Sequence, residues 1–167
     1  MHIMHAEGTT ASNTERVCMQ LQPPVLLPEY KRQKTVVCVT DQLRCDRIIR
    51  SGRTVANMTD TDLVVINVCT PLRRNDPEAM EYLYRVSAEF GAEMNVLFAA
   101  DFSKAIVSYI KENRVRCVLT GVPQEHDNFI TRMWRTFTHI TFFMVEQNGE
   151  FSEVTRSMIA QWEKKRA

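Results

Sequence analysis

Thr35-Val36-Val37-Cys38-Val39-Thr40-Asp41 decides the fold: an apolar run of strand length stops in a polar loop, and a helical pattern begins at Asp46. A strand that is apolar at every position, not at alternate ones, is covered on both faces, as in a parallel sheet lying between helix layers. In open sheets of this kind ligands bind just beyond the carboxyl ends of the strands, so Asp41 is the first residue to question.

Four further apolar runs lie downstream: Leu63-Val64-Val65-Ile66-Asn67-Val68, Met94-Asn95-Val96-Leu97-Phe98, Val115-Arg116-Cys117-Val118-Leu119-Thr120 and Ile140-Thr141-Phe142-Phe143-Met144-Val145. Helical patterns fill the gaps. Ile48, Ile49, Gly52, Val55 and Ala56 share one face; Asp76 can cap a second helix with Pro77 in its first turn and Gly91 at its end. A third follows Asp101 to about Asn113, and a fourth begins near Asp127 with Phe129, Ile130, Met133, Trp134 and Phe137. This alternation signals βαβ units. Right-handed crossovers with the first strand central predict a Rossmann-like open five-stranded parallel sheet in the order 3-2-1-4-5, with helices on both faces. An apolar stripe of Phe151, Val154, Met158, Ile159 and Trp162 predicts an extra C-terminal helix over 151–166. Residues 1–33 read as an extended or partly disordered N-terminal arm, since Gly8 to Asn13 is loop-like and Pro23, Pro24 and Pro28 prevent a helix. The α/β domain is placed over 34–167.

Composition narrows the function. With 21 basic and 20 acidic residues the chain has no global field to attract nucleic acid or an acidic membrane. No apolar stretch approaches the ~20 residues of a membrane span, and the polar start Met1 to Glu7 lacks a signal core, so the expected location is cytoplasmic. The five cysteines are Cys18, Cys38, Cys45, Cys69 and Cys117. They form no C-x-x-C pair; Cys38, Cys69 and Cys117 read as small buried hydrophobes, and Cys45 is the one to test for reactivity. His126 has no partner at metal-ligand spacing, and no Walker loop, G-x-G-x-x-G fingerprint or nucleophile elbow is present. The residues alone therefore describe a binding domain with no required cofactor and no catalytic residue.

Three loops converge at the carboxyl ends: Thr40-Asp41-Gln42, Val68-Cys69-Thr70, and the segment from Gly121 through Val122 and Gln124 to Asp127. The crevice between the first and fourth strands, where winding reverses, is the expected ligand site. Asp41 suits a ribose hydroxyl or is a turn former and cap; a helix N-terminus near Asp127 offers N–H groups to a phosphate. Arg132 and Arg135, about one turn apart, either hold phosphate or form a charged solvent face, whereas Arg44, Arg47, Arg50 and Arg53 read as an exposed helix side.

The segment from Thr35 to Val145 resembles the universal stress protein (UspA-like) domain, in particular the version in Kdp-type potassium-responsive sensor histidine kinases. The likeness rests on Thr40-Asp41, on Asp46-Arg47-Ile48-Ile49-Arg50, on Ile66-Asn67-Val68 and on Leu119-Thr120-Gly121. In the family's ATP-binding branch, the resemblance implies that Asp41 contacts the ribose region and Val68 the adenine. That branch places glycines and a Gly-Ser or Gly-Thr pair around the phosphates. Here Gly121 is kept, but Gln124, Trp134 and Arg135 stand at the other positions, which argues against close approach to a triphosphate. Some Kdp-type domains bind cyclic di-AMP; their motif spacing is kept from Thr40 to Asn67, their side chains are not. The resemblance implies a non-enzymatic stress or signalling module that binds ATP, ADP, AMP or cyclic di-AMP. Alternatives are a ligand-free interaction and dimerisation module, a receiver-like phosphoacceptor built on Asp41 and Asp101, and a weak ATPase. A receiver needs an acidic pair after the first strand and a Lys after the fifth, and both are missing. Family resemblance and an uncharged fifth strand at the sheet edge together predict a homodimer through Ile140, Phe142 and Met144.

Overall fold

A computed structural model describes residues 31–123 and 129–166. The expected arm lies outside the described residues as far as residue 30, as do Gln124, His126 and Asp127. The elements follow one another as β1 (Lys34–Val39), α1 (Asp46–Thr59, entered through a short 3-10 turn, Leu43–Cys45), β2 (Asp62–Cys69), α2 (Pro77–Glu89), β3 (Glu93–Phe98), α3 (Phe102–Glu112), β4 (Val115–Gly121), α4 (Phe129–Thr136), β5 (Thr141–Val145), β6 (Phe151–Glu153) and α5 (Arg156–Arg166). They form a six-stranded sheet in the order β3-β2-β1-β4-β5-β6. All pairings are parallel except β5 with β6.

The central strand shows why the sheet is covered twice. Its side chains alternate between faces, and Val36 and Cys38 enter one apolar layer with Ile106, Ile110, Phe129, Met133 and Ile159 of α3, α4 and α5. Val37 and Val39 enter the other with Ile48, Ile49, Val55, Leu83 and Val86 of α1 and α2. Thr35, the buried polar residue of this strand, shares a hydrogen bond with Thr61 at 2.6 Å. Helix starts follow their sequence signals: Asp76 Oδ1 accepts the Glu78 N–H and Asp101 Oδ1 the Lys104 N–H, both at 3.0 Å.

Two parts of the C-terminal region depart from expectation. The sheet gains β6, and the last helix starts at Arg156, not at residue 151. Asn148-Gly149 turns the chain back, with Gly149 at φ 87° and the Glu146 N–H donating to the Glu150 carbonyl at 2.7 Å. Phe151 then packs edge-on against Phe143, with ring centroids 6.0 Å apart. The Val154 N–H donates to the Phe142 carbonyl at 2.8 Å. The fifth strand is thus not the sheet edge: β6 occupies that side within the same chain, and Ile140, Phe142 and Met144 are buried in the core.

Gly52 fixes the distance between α1 and the sheet. A Cβ at this position would lie 2.3 Å from Val37 Cγ2 and 3.0 Å from Leu63 Cδ1, a spacing that only glycine allows without movement. Gly52→Ala is therefore expected to lower the unfolding free energy by about 1–3 kcal/mol despite the better helix propensity of alanine. Combined with Val37→Ala, which removes the clashing methyl, the loss should be smaller than the sum of the two single losses. Denaturant titration of the single and double variants checks this, and a Gly52→Ala protein as stable as the parent would contradict the close packing.

Candidate functional site

Where β1 and β4 end side by side, the turn after β1, the first turn of α1 and the exit of β4 enclose a crevice of about 400 Å³. Thr40 and Gln42 supply one rim, Gly121 and Val122 the other, and Ile48, Phe102, Phe129 and Ile130 give it apolar walls. A larger cavity of about 700 Å³ opens at the opposite, amino ends of the strands. Its charges offset one another, since Arg32 pairs with both Asp60 and Asp62. The placement of ligands at the carboxyl ends of strands in open sheets and the apolar walls both favour the carboxyl-end crevice.

Two guanidinium groups reach this crevice, and neither was legible as a site residue. Arg47, in the first turn of α1, is held by neutral groups: Nε donates to the Glu146 carbonyl at 2.8 Å and Nη1 to the Arg44 carbonyl at 2.6 Å. Its Nη2 lies 3.4 Å from the point where a Cβ on Gly121 would sit, so the guanidinium stands beside Gly121. Among the described residues no carboxylate pairs with Arg47. Arg73 is different: its Nη2 donates to Asp41 Oδ1 at 2.9 Å.

Asp41 acts as a clamp. Its second oxygen accepts the Asp76 N–H at 2.9 Å, so one carboxylate ties the end of β1 to the loop that leads into α2. Buried Asn67 makes a parallel tie: its Nδ2 donates to the Val39 carbonyl at 3.2 Å, and its Oδ1 accepts from Asn75 Nδ2 at 2.7 Å. The Asp41 side chain is only 12% exposed, so both partners act at a largely desolvated carboxylate.

The other expected site residues divide. Thr40, Gln42, Gly121 and Val122 line the crevice. Val68 is half-buried and packs against the layer of α3 and α4. Arg132 donates to Ser103 Oγ at 2.9 Å and Arg135 pairs with Glu163 of α5, so neither lines the crevice. Both arginines lie within α4, and its packing against α3 and α5 turns them away from the crevice. Trp134 Nε1 likewise donates to the Val154 carbonyl at 3.2 Å, and positions 134 and 135 form helix where the resemblance puts a phosphate loop. Gln124 lies outside the described residues.

Cys45 is buried in the crevice wall, its Sγ 3.5 Å from Thr40 Oγ1. Burial pushes the Cys38 thiol up to about 12 and raises that of Cys117, which keeps both as inert thiols near neutral pH. Among the described residues no three metal-ligating side chains come together.

The chain matches no known family profile and no curated protein. Solved structures do match. A universal stress protein from Archaeoglobus fulgidus superposes with a TM-score of 0.51 at 14% identity, over 68% of this chain and 92% of the other. The A. fulgidus protein in complex with dAMP gives 0.52 at 15% identity, over 70% and 98%. A universal stress protein in complex with cAMP gives 0.50 at 13% identity, over 70% and 98%. The chain has the fold of the universal stress proteins.

Asp41→Ala should free Arg73 and leave the Asp76 N–H without its acceptor. Arg73 is 61% exposed, so its side of the ion pair contributes little, and global stability should fall by about 1 kcal/mol. Hydrogen exchange at the Asp76 amide should rise about tenfold, equivalent to about 1.4 kcal/mol of local protection. An unchanged Asp76 exchange rate would show that the clamp does not hold the loop.

Proposed function

We propose that this chain is a cytoplasmic, non-enzymatic sensing domain of the universal stress protein type that binds an adenine mononucleotide, linear or cyclic, between β1 and β4. One observation carries the proposal: the Arg47 guanidinium stands at the crevice beside Gly121, bonded only to neutral carbonyls among the described residues. Such a cation gains most from an anionic ligand, because its charge is not already offset. The crevice volume of about 400 Å³ falls within the range that encloses small ligands.

Adenine would lie against the apolar walls, the ribose near Thr40 and Gln42, and the phosphate on Arg47. The dAMP and cAMP complexes of the structural neighbours support this ligand class. A single phosphate is favoured over three because residues 134 and 135 are helical, which removes the loop that would wrap a triphosphate. The kept spacing from Thr40 to Asn67 supports a kinship with Kdp-type domains and makes cyclic di-AMP the second ligand to test. A non-enzymatic role rests on the lack of any catalytic motif in the sequence. The helical residues 134 and 135 equally favour a second reading, a ligand-free interaction module.

Calorimetry with AMP, cyclic AMP, ATP and cyclic di-AMP separates these readings. Saturable binding is expected for AMP or cyclic AMP, with ATP weaker. Arg47→Ala should weaken it about 10- to 100-fold, as loss of a charge-assisted hydrogen bond implies, with an unchanged circular dichroism spectrum. No heat with any of the four nucleotides would leave the interaction module.

A further inference from the structure

The two ends of the sheet are unlike. On one side β6 is only three residues long. On the other, β3 presents six residues, Glu93-Met94-Asn95-Val96-Leu97-Phe98, with no proline and one charge, at its start. Natural edge strands are commonly shortened, bulged or charged to prevent pairing, and β3 is none of these after Glu93.

Met94, Val96 and Phe98 share the strand face that looks toward α2, because side chains alternate. Met94 is covered there, with the Ser87 hydroxyl 3.7 Å from its sulfur. Beyond it the cover runs out: Val96 is 39% exposed and Phe98 82%. Tyr84, one helical turn back from Ser87 on α2, is also exposed. Helix α2 runs antiparallel to β3, so this turn lies toward the Phe98 end of the strand.

We propose that two copies of this chain pair antiparallel through β3, about a two-fold axis at Val96, to form one continuous sheet. The strand is complementary to itself in this register. A two-fold axis normal to the sheet keeps each side chain on its own face, so the axis must pass through a residue. With Val96 on the axis, Val96 meets Val96 of the second copy, Met94 meets Phe98, and Asn95 meets Leu97. Glu93 falls opposite Ala99, so no like charges oppose one another. The three-residue apolar face thereby becomes a six-residue ladder that covers both copies of Phe98. An axis at Asn95 would leave Phe98 outside the strand pair. The fifth-strand route is closed by β6, and among the described residues β3 is the longer free edge.

Light scattering across the micromolar range should give a dimer for the parent chain. Val96→Lys, which sets two ammonium groups against each other at the axis, should give a folded monomer by circular dichroism, and Ser152→Lys on β6 should remain dimeric. Val96→Cys should form a reducible cross-linked dimer under copper-phenanthroline, since facing Cβ atoms lie about 4.5–5.5 Å apart in such pairs; the parent, with its own cysteines, should not. A monomeric parent, a dimer that survives Val96→Lys, or a dimer lost only with Ser152→Lys would each overturn the proposal. The last would place the interface at β6.

Discussion

Val36-Val37-Cys38-Val39 has no polar side chain, and it lies at the centre of a sheet where either face left open would expose apolar surface to water. Covering each of these side chains is worth about 1.5–3 kcal/mol for residues of this size, so both helix layers are required. The alternate assignment of these residues to two apolar layers is the direct expression of that requirement. Gly52 then sets how closely α1 lies on Val37. Because β2 and β3 wind to one side of β1 while β4 and β5 wind to the other, the covering helices part at the carboxyl ends of β1 and β4. The crevice follows from the need to bury β1.

The polar groups around that crevice have different tasks. Asn67 and Asp41 spend their hydrogen-bonding capacity within the chain, tying the ends of β1 and β2 to the loop before α2. Asp41 is balanced by Arg73, so that pair adds no net charge to the site. Arg47 is held by carbonyls that fix its direction without neutralising it. Among the described residues the unbalanced positive charge at the crevice is therefore that of Arg47, and it stands beside Gly121, the glycine that the family resemblance places at the phosphates.

Much of the fold was legible because long apolar runs have few alternatives. Five strands, their order and the helices between them all follow from runs such as Leu63 to Val68 and from punctuation such as Asp76-Pro77. The sixth strand was hidden in a pattern that also fits a helix: Phe151 and Val154 are spaced like the stripe that continues through Met158 and Ile159. Asn148-Gly149 was the available signal, since this dipeptide between apolar runs marks a hairpin. The site was harder to read. Arg132 and Arg135 have the spacing of a phosphate clamp, but their direction depends on how α4 packs against α3 and α5, which no local pattern fixed. Arg47 sits in a run of four arginines at helical spacing, and its contact with the Glu146 carbonyl, absent from the sequence pattern, is what directs it to the crevice while Arg44 and Arg50 stay exposed. Asp41 was legible as important, while its partners, Arg73 and Asp76, lie more than thirty residues away in sequence.

The most direct test of a phosphate-directed crevice at β1 and β4 is an amide NMR titration with AMP beside one with adenosine. AMP should shift the resonances of Thr40, Gln42, Arg47 and Gly121 together and saturably, and adenosine should shift them less at equal concentration, because it lacks the group that Arg47 would hold. Shifts that cluster instead around Arg32, Arg53 and Asp60 at the amino ends of the strands, or identical responses to the two ligands, would contradict the account.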